Sequence, residues 1–261
     1  MSDGGKVAFL IAGVQKGGTS ALFDYLRESP AIQMPAVKEA HFFDDETVDW
    51  AADGTAPDIA AYHALFEDDA RLRGEATPIY IYWPNSLERI ARYNPAMKVI
   101  LLLRDPVERA WSHWKMEYAK RKEREPFAWC IREGRERLAD GDPSAPGHHR
   151  VFSYVERGFY GSQVERLFSL FPRDNCLLLR SEELRDDPGA TLDRVCHFLG
   201  VPTFTSIEPR IVHAARDIEY SSELRREDRT LLSAVYHPEM KRLENLTGMD
   251  TSCWAKHHPG S

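Results

Sequence analysis

A lysine, three glycines and two hydroxyl residues crowd into eight positions near the start of the chain: Gly13-Val14-Gln15-Lys16-Gly17-Gly18-Thr19-Ser20. The apolar run Val7–Ala12 before them and the amphipathic segment after them read as strand, loop and helix start. The first turn of a helix presents unpaired N–H groups and a partial positive charge, so it receives anions. Glycines let the backbone curl round a phosphate. The spacing approaches the G-x-x-x-x-G-K-[ST] loop of nucleoside triphosphate enzymes. Gly13 and Gly18 are correctly separated, but Thr19 stands where the lysine belongs and Lys16 lies inside the loop. A lysine there is better placed to touch the group leaving a single phosphate. The plain alternative is a glycine-rich strand–helix turn.

Two further stretches could supply the rest of a reaction. Lys38-Glu39-Ala40-His41-Phe42-Phe43-Asp44 sets a polar cluster against aromatics, and Glu39 with His41 is the first credible acid–base pair in the chain. A surface glutamate and a core-edge histidine would read the same way. Arg104-Asp105-Pro106-Val107-Glu108-Arg109-Ala110-Trp111-Ser112 follows the apolar run Lys98–Leu103. Arg104 can bind a phosphate through two nitrogens. Ser112 lies about two helical turns further on, so it shares a face with Arg104 if a helix begins by Pro106. Otherwise Arg104 forms an ion pair with Asp105. Tyr80, Tyr82 and Trp83, beside a proline turn, form either a substrate wall or part of the core.

The elements that must carry these residues alternate strand and helix. Lys98–Leu103 is a continuous apolar run of the kind buried in parallel sheets, and Cys176–Leu179 is a second. Helices are predicted from Ser20 to Leu26, from an Asn85 cap through Tyr93, from Pro106 into the charged stretch Lys115–Glu125, and from Pro126 to Leu138. Others follow after Gly158-Phe159-Tyr160-Gly161, from Asp187-Pro188 to Leu199, from Arg226 to Tyr236, and from His237 to Leu246. Residues 45–70 read as an acidic, solvated face, and Ala139–Arg150 and 203–223 as loops. Without an intervening linker, 261 residues suit one α/β domain over 1–261.

The net charge of −7 argues against a general nucleic-acid binder but leaves room for a local basic cleft. Cys130, Cys176, Cys196 and Cys253 form no C-x-x-C pair, which points away from a disulfide framework or a zinc site and towards a reducing compartment. Neither a signal peptide nor an apolar run of about 20 residues is evident. The expectation is a soluble, cytoplasmic protein that binds neither membrane nor nucleic acid.

The three stretches 13–20, 38–44 and 104–112, in this order and spacing, resemble the sulfotransferases that use 3′-phosphoadenosine 5′-phosphosulfate (PAPS). The likeness is to the branch with heparan sulfate 3-O- and N-sulfotransferases and bacterial relatives. Glu182-Glu183-Leu184 with Pro188, Phe198-Leu199-Gly200, and Leu246-Thr247-Gly248-Met249-Asp250 with Trp254 extend it through the C-terminal half. The resemblance implies a P-loop-containing three-layer fold, a central parallel sheet flanked by helices. It implies PAPS as co-substrate, no metal, and a carbohydrate acceptor, while the aromatics Tyr80, Tyr82 and Trp83 would suit a small hydroxylated metabolite or a sugar face equally well. Lys16, Gly17, Gly18, Thr19 and Ser20 match its 5′-phosphosulfate loop, and Arg104 and Ser112 its 3′-phosphate grip. Glu39 matches its catalytic base and Arg216 a basic residue closing over the nucleotide. Lys38, His41, Tyr80 and Trp83 are the expected acceptor-side residues. His41 either orients Glu39 or is structural, and the basic run Lys115–Arg124 is either a track for an acidic polysaccharide or a solvated helix face. The competing readings are a P-loop kinase or NTPase, against which Thr19 argues, and a non-catalytic nucleotide-binding scaffold, against which Lys16 and Glu39 argue.

Overall fold

The structure, a computed structural model, describes residues 5–50, 59–139, 147–207 and 218–255. In chain order the elements are β1 (Phe9–Gly13), α1 (Thr19–Leu26), β2 (Ile32–Gln33), α2 (Ile59–His63), β3 (Leu72–Ala76), α3 (Ser86–Tyr93), β4 (Lys98–Leu103) and α4 (Pro106–Ala119). Then come α5 (Phe127–Cys130), α6 (Glu136–Ala139), α7 (His148–Phe152), α8 (Tyr160–Leu170), β5 (Cys176–Arg180), α9 (Ser181–Asp186), α10 (Pro188–Leu199), α11 (Arg226–Thr247) and α12 (Ser252–Ala255). The chain divides into two compact units, residues 1–103 with 167–214, and residues 104–166 with 215–261.

The first unit is an α/β layer structure. Its five strands, ordered β2-β3-β1-β4-β5, are all parallel. Successive side chains alternate across a sheet. Phe9 and Ile11 of β1, Ala76 of β3, and Ile100 and Leu102 of β4 therefore share one face, which packs with Leu22, Phe23 and Leu26 of α1 and Leu192, Val195 and Leu199 of α10. Each such side chain contributes about 1.5–3 kcal/mol on full burial, against about 0–1 kcal/mol for a surface ion pair. The β1–β4 pair therefore fixes the loop after β1 more firmly than surface charges could. From β1 the strand order runs one way through β3 to β2 and the other way through β4 to β5. Ligands in open α/β sheets gather at the carboxyl ends of strands where the order turns in this way. Lys16 follows β1, Glu39 follows β2, and Arg104 is the residue after β4.

The second unit is helical. Val107, Ala110 and Trp114 of α4 pack with Phe127, Tyr154, Leu232 and Tyr236. The Asp105 side chain caps α4 by accepting from the Val107 N–H at 2.9 Å, with Pro106 in the first turn. In the first unit Asp187 caps α10 in the same way, accepting from the Ala190 N–H, and Gly200 ends it at φ 78°.

Several elements differ from the sequence reading. The helix expected over Pro126–Leu138 is broken into α5, a 3₁₀ turn at Glu133–Arg135, and α6, because Arg132 leaves helical geometry at φ −117°, ψ −103°. The two helices expected after Arg226 are one, running through Pro238. Its buried face (Leu232, Tyr236, Leu243) keeps helical spacing across the proline, and packing overrides the missing hydrogen bond. Residues 148–150 are helical rather than loop. Asn85 does precede α3, but in the left-handed region (φ 66°) and without a side-chain cap. Strand β3 was not foreseen, because Leu72-Arg73-Gly74-Glu75-Ala76 lacks the apolar pattern of a central strand.

Candidate active site

Loop 14–18 is made by the main chain. The Val14 N–H donates to Leu102 O of β4 at 3.0 Å, and the Gly17 N–H donates to Val14 O at 2.9 Å, which curls the loop back on itself. A Cβ on Gly17 would lie 2.3 Å from Leu102 O, so only glycine fits there. Gly18 enters α1 at φ 97°, another conformation natural to glycine. Lys16 holds φ 71°, uncommon for a residue with a Cβ and a mark of functional loops. The first turn of α1 carries no acidic side chain to compete with an incoming anion. Thr19 is buried and Ser20 half-buried. A hydroxyl the sequence reading did not single out stands beside the loop: Ser181 Oγ, at the start of α9, would lie 3.6 Å from a Cβ on Gly18.

Loop 38–44 is made by side chains. Glu39 and His41 both occupy the left-handed region, at φ 67° and φ 53°. The Glu39 carboxylate accepts from Lys38 Nζ at 2.6 Å through Oε1 and faces His41 Nε2 at 3.4 Å through Oε2. On its other side His41 Nδ1 lies 3.0 Å from Asp44 Oδ2. Burial alone would push the Glu39 carboxyl up, but the hydrogen bonds and charge of His41 and Lys38 outweigh it and hold the group down at about 2. Asp44, then Glu39, raise His41 to about 9 against its own desolvation. At neutral pH Glu39 is thus a carboxylate and His41 an imidazolium, with the Asp44 side chain on the far side of the ring. Asp44 is fully buried, and no role for it was read from the sequence. Its position three residues after His41 was the available signal.

The segment after this row is clamped in place. Phe43 O accepts from Ser86 Oγ at 3.2 Å and from Arg89 at 3.0 Å. Glu46 pairs with Arg89 at 2.6 Å and accepts from Trp83 Nε1 at 2.8 Å, so this part of the acidic stretch is not a solvated face. Tyr80 and Trp83 are fully buried, which matches the core reading of these aromatics rather than a wall open to substrate. Phe42 stacks on Tyr62 with ring centroids 4.5 Å apart, and Phe43 packs edge-on to Tyr80.

In the second unit Arg104 is half-buried, and its carbonyl accepts from the Tyr160 hydroxyl at 2.9 Å. Ser112 is half-buried on α4. Asp105 serves as the cap of α4. Lys120, Arg121, Lys122 and Arg124 are exposed, whereas Lys115 lies over the Trp111 and Tyr220 rings. Arg216 lies outside the described residues. Among the described residues no three His, Cys, Asp or Glu side chains are grouped to hold a metal ion, and no helix is long and apolar enough to cross a membrane.

The chain and its fold have counterparts among known proteins. The crystal structure of a sulfotransferase from Alicyclobacillus acidocaldarius superposes with a TM-score of 0.76 at 30% identity, covering 95% of this chain and 98% of that one. Human heparan sulfate glucosamine 3-O-sulfotransferase 3B1 is 30% identical over 195 residues, 74% of this chain and 45% of the relative. The human bifunctional heparan sulfate N-deacetylase/N-sulfotransferase 3 is 30% identical over 205 residues, 74% of this chain and 22% of the relative. The chain thus spans less than half the length of these human relatives. The model of the sulfotransferase domain matches residues 7–240, taking in the glycine-rich loop, the Glu39–His41–Asp44 row and the segment from Arg104 to Ser112. On that match the chain belongs to the sulfotransferase family.

Proposed function

We propose that the protein is a PAPS-dependent sulfotransferase that moves a sulfuryl group to a hydroxyl or amine of a carbohydrate or small-metabolite acceptor. The observation that carries the reading is the pairing, in one unit, of a loop that only glycine can form with an ionised carboxylate set in a left-handed turn. Loop 14–18 suits a phosphosulfate: the space at Gly17 excludes any side chain, and the first turn of the following helix offers N–H groups and carries no acidic side chain. When bound, PAPS supplies an activated sulfuryl group and a phosphate at each end of its adenosine.

The chain's own residues then have distinct tasks. Lys16 and the N–H groups and hydroxyls of Gly17, Gly18, Thr19 and Ser20 hold the 5′ end. Lys16 neutralises charge developing on the leaving oxygen, a contribution typically worth about 3–4 kcal/mol per donor. Arg104 and Ser112 take the 3′-phosphate, Arg104 as a charged fork. Glu39, already ionised, accepts the proton of the acceptor. Its low affinity for that proton fits a transfer that keeps step with formation of the new bond to sulfur rather than preceding it. Lys38, half-buried beside Glu39, and His41, exposed at the same turn, orient the carboxylate and meet the acceptor.

Nucleotide preference tests the reading. Calorimetry should show tight binding of adenosine 3′,5′-bisphosphate and none of ATP with magnesium; the opposite preference would favour a kinase. Arg104→Ala should cost about 1.5–3 kcal/mol of bisphosphate affinity, and unchanged affinity would place the 3′-phosphate elsewhere. A screen of carbohydrates and hydroxylated metabolites with labelled PAPS then identifies the acceptor.

A further inference from the structure

Behind the 38–44 loop lies a buried carboxyl that the proposed reaction does not use. Glu75 sits in β3 between β2 and β1, fully buried, opposite Leu10 in register. Three hydroxyls converge on it. Thr77 Oγ1 donates to Oε2 at 2.7 Å, Tyr62 donates to Oε1 at 3.3 Å, and the Tyr80 hydroxyl also reaches the carboxyl. Two of these hydroxyls face the loop with their lone pairs. Tyr80 accepts from the Phe42 N–H at 3.1 Å and from the Phe43 N–H at 3.4 Å, and Thr77 Oγ1 accepts from the His41 N–H at 3.5 Å. The Glu39 N–H is held by Ala76 O, the residue next to Glu75, at 3.1 Å.

A hydroxyl has one proton to give and lone pairs to receive with. With its proton drawn towards Glu75, each hydroxyl is left facing the loop as an acceptor. Three successive loop N–H groups, those of residues 41 to 43, are thereby satisfied through one carboxyl. The same loop bears the left-handed turns at Glu39 and His41, which persist only where their surroundings over-determine them.

We propose that Glu75 is a positioning residue for the acid–base row: through Thr77 and Tyr80 it fixes the backbone of residues 39–43, and so sets the approach of His41 to both Glu39 and Asp44. The proposal rests on the reading of Glu39 as base only for its catalytic consequence; the positioning itself is measurable without any substrate. Burial pushes the Glu75 carboxyl above the usual carboxylate range, with the hydroxyls opposing that shift. The charged and titratable groups around His41 are Glu39 and Asp44 in contact, Lys38 beyond Glu39, and Glu75, Tyr62 and Tyr80 behind the loop.

The experiment is an NMR titration of the histidine ring protons of the full chain, with His41→Asn assigning the signal. Wild-type His41 should titrate near 9 rather than 6.5. Glu75→Leu keeps an apolar volume but removes the acceptor. It should bring His41 down by about one unit or more, and lower kcat at least about tenfold with bisphosphate affinity little changed. Should that variant fail to fold, Tyr80→Phe decides: it removes only the oxygen that receives two loop N–H groups and should shift His41 in the same direction. Because both substitutions act through one network, their combination should do no more than Glu75→Leu alone. Wild-type His41 titrating at 6.5, a variant that loses thermal stability while His41 keeps its wild-type value, or additive shifts in the double variant would each overturn the proposal. An absence of sulfuryl transfer with an unaltered titration result would instead count against the assigned reaction.

Discussion

The two loops that carry the proposed chemistry are held by opposite means. Residues 14–18 owe their shape to the main chain: Val14 and Gly17 hydrogen-bond to carbonyls, and Gly17 leaves no room for a Cβ beside Leu102 O. Residues 38–44 owe theirs to side chains: an ion-paired row on the outer side, and on the inner side hydroxyls, Ser86 and Arg89 clamping the backbone. An anion binder for a ligand of fixed charge needs rigid dipoles, and backbone supplies them without titrating. A base must exchange a proton, so its surroundings must be built from groups whose charge and hydrogen bonds can respond. The first loop should therefore be broken by adding an atom, and the second by removing one.

The largest effect is expected from Glu39→Gln. Turnover should fall by about 10²–10⁴ while calorimetry finds bisphosphate affinity preserved; full activity would remove Glu39 from the base role and make the second loop only structural. Lys16→Ala should lower kcat by about 10²–10³ in single-turnover assays, the typical loss of one preorganised donor. An equal loss of ground-state binding, with kcat intact, would make Lys16 a binding residue rather than a stabiliser of the leaving oxygen. Gly17→Ala tests the backbone-made loop directly: the added methyl must displace Leu102 O, so urea denaturation should show a loss of about 1–3 kcal/mol. An unchanged midpoint would mean the loop yields easily.

The smallest effect is a pH profile belonging to the second loop. Glu39 is depressed from 4.5 to about 2, so its contribution to stability is present above 4.5 and is lost as pH falls through about 2. His41 is raised from 6.5 to about 9, so its contribution is present below 6.5 and is lost as pH rises through about 9. Melting temperatures should plateau between these limits. His41→Asn should flatten the alkaline side, and an alkaline limb that survives in that variant would assign it to another group.

Much of this was legible in residue order. Strand β4 and the caps Asp187 and Gly200 coincide with their sequence signals, because an apolar run, an N-cap aspartate and a C-terminal glycine act locally. Even the 14–18 loop was readable, since glycine spacing records where a backbone must bend. The long α11 was not, because a proline stops a helix only when packing on either side fails to continue. Residues 72–76 were missed for a different reason: a glutamate and an arginine in a short stretch do not look like a central strand.

The sequence by itself determined that a glycine-rich loop with one lysine leads into a helix start and that a carboxylate and an imidazole lie two residues apart. These follow from residue type and spacing alone. Tertiary structure decided what that carboxylate and imidazole become. Parallel pairing brings Glu75 under the loop, and a left-handed turn at His41 lets one imidazole face Glu39 and the buried Asp44 at once. A proton's affinity for a site depends on burial and on partners brought close by folding, and neither is written in the order of residues.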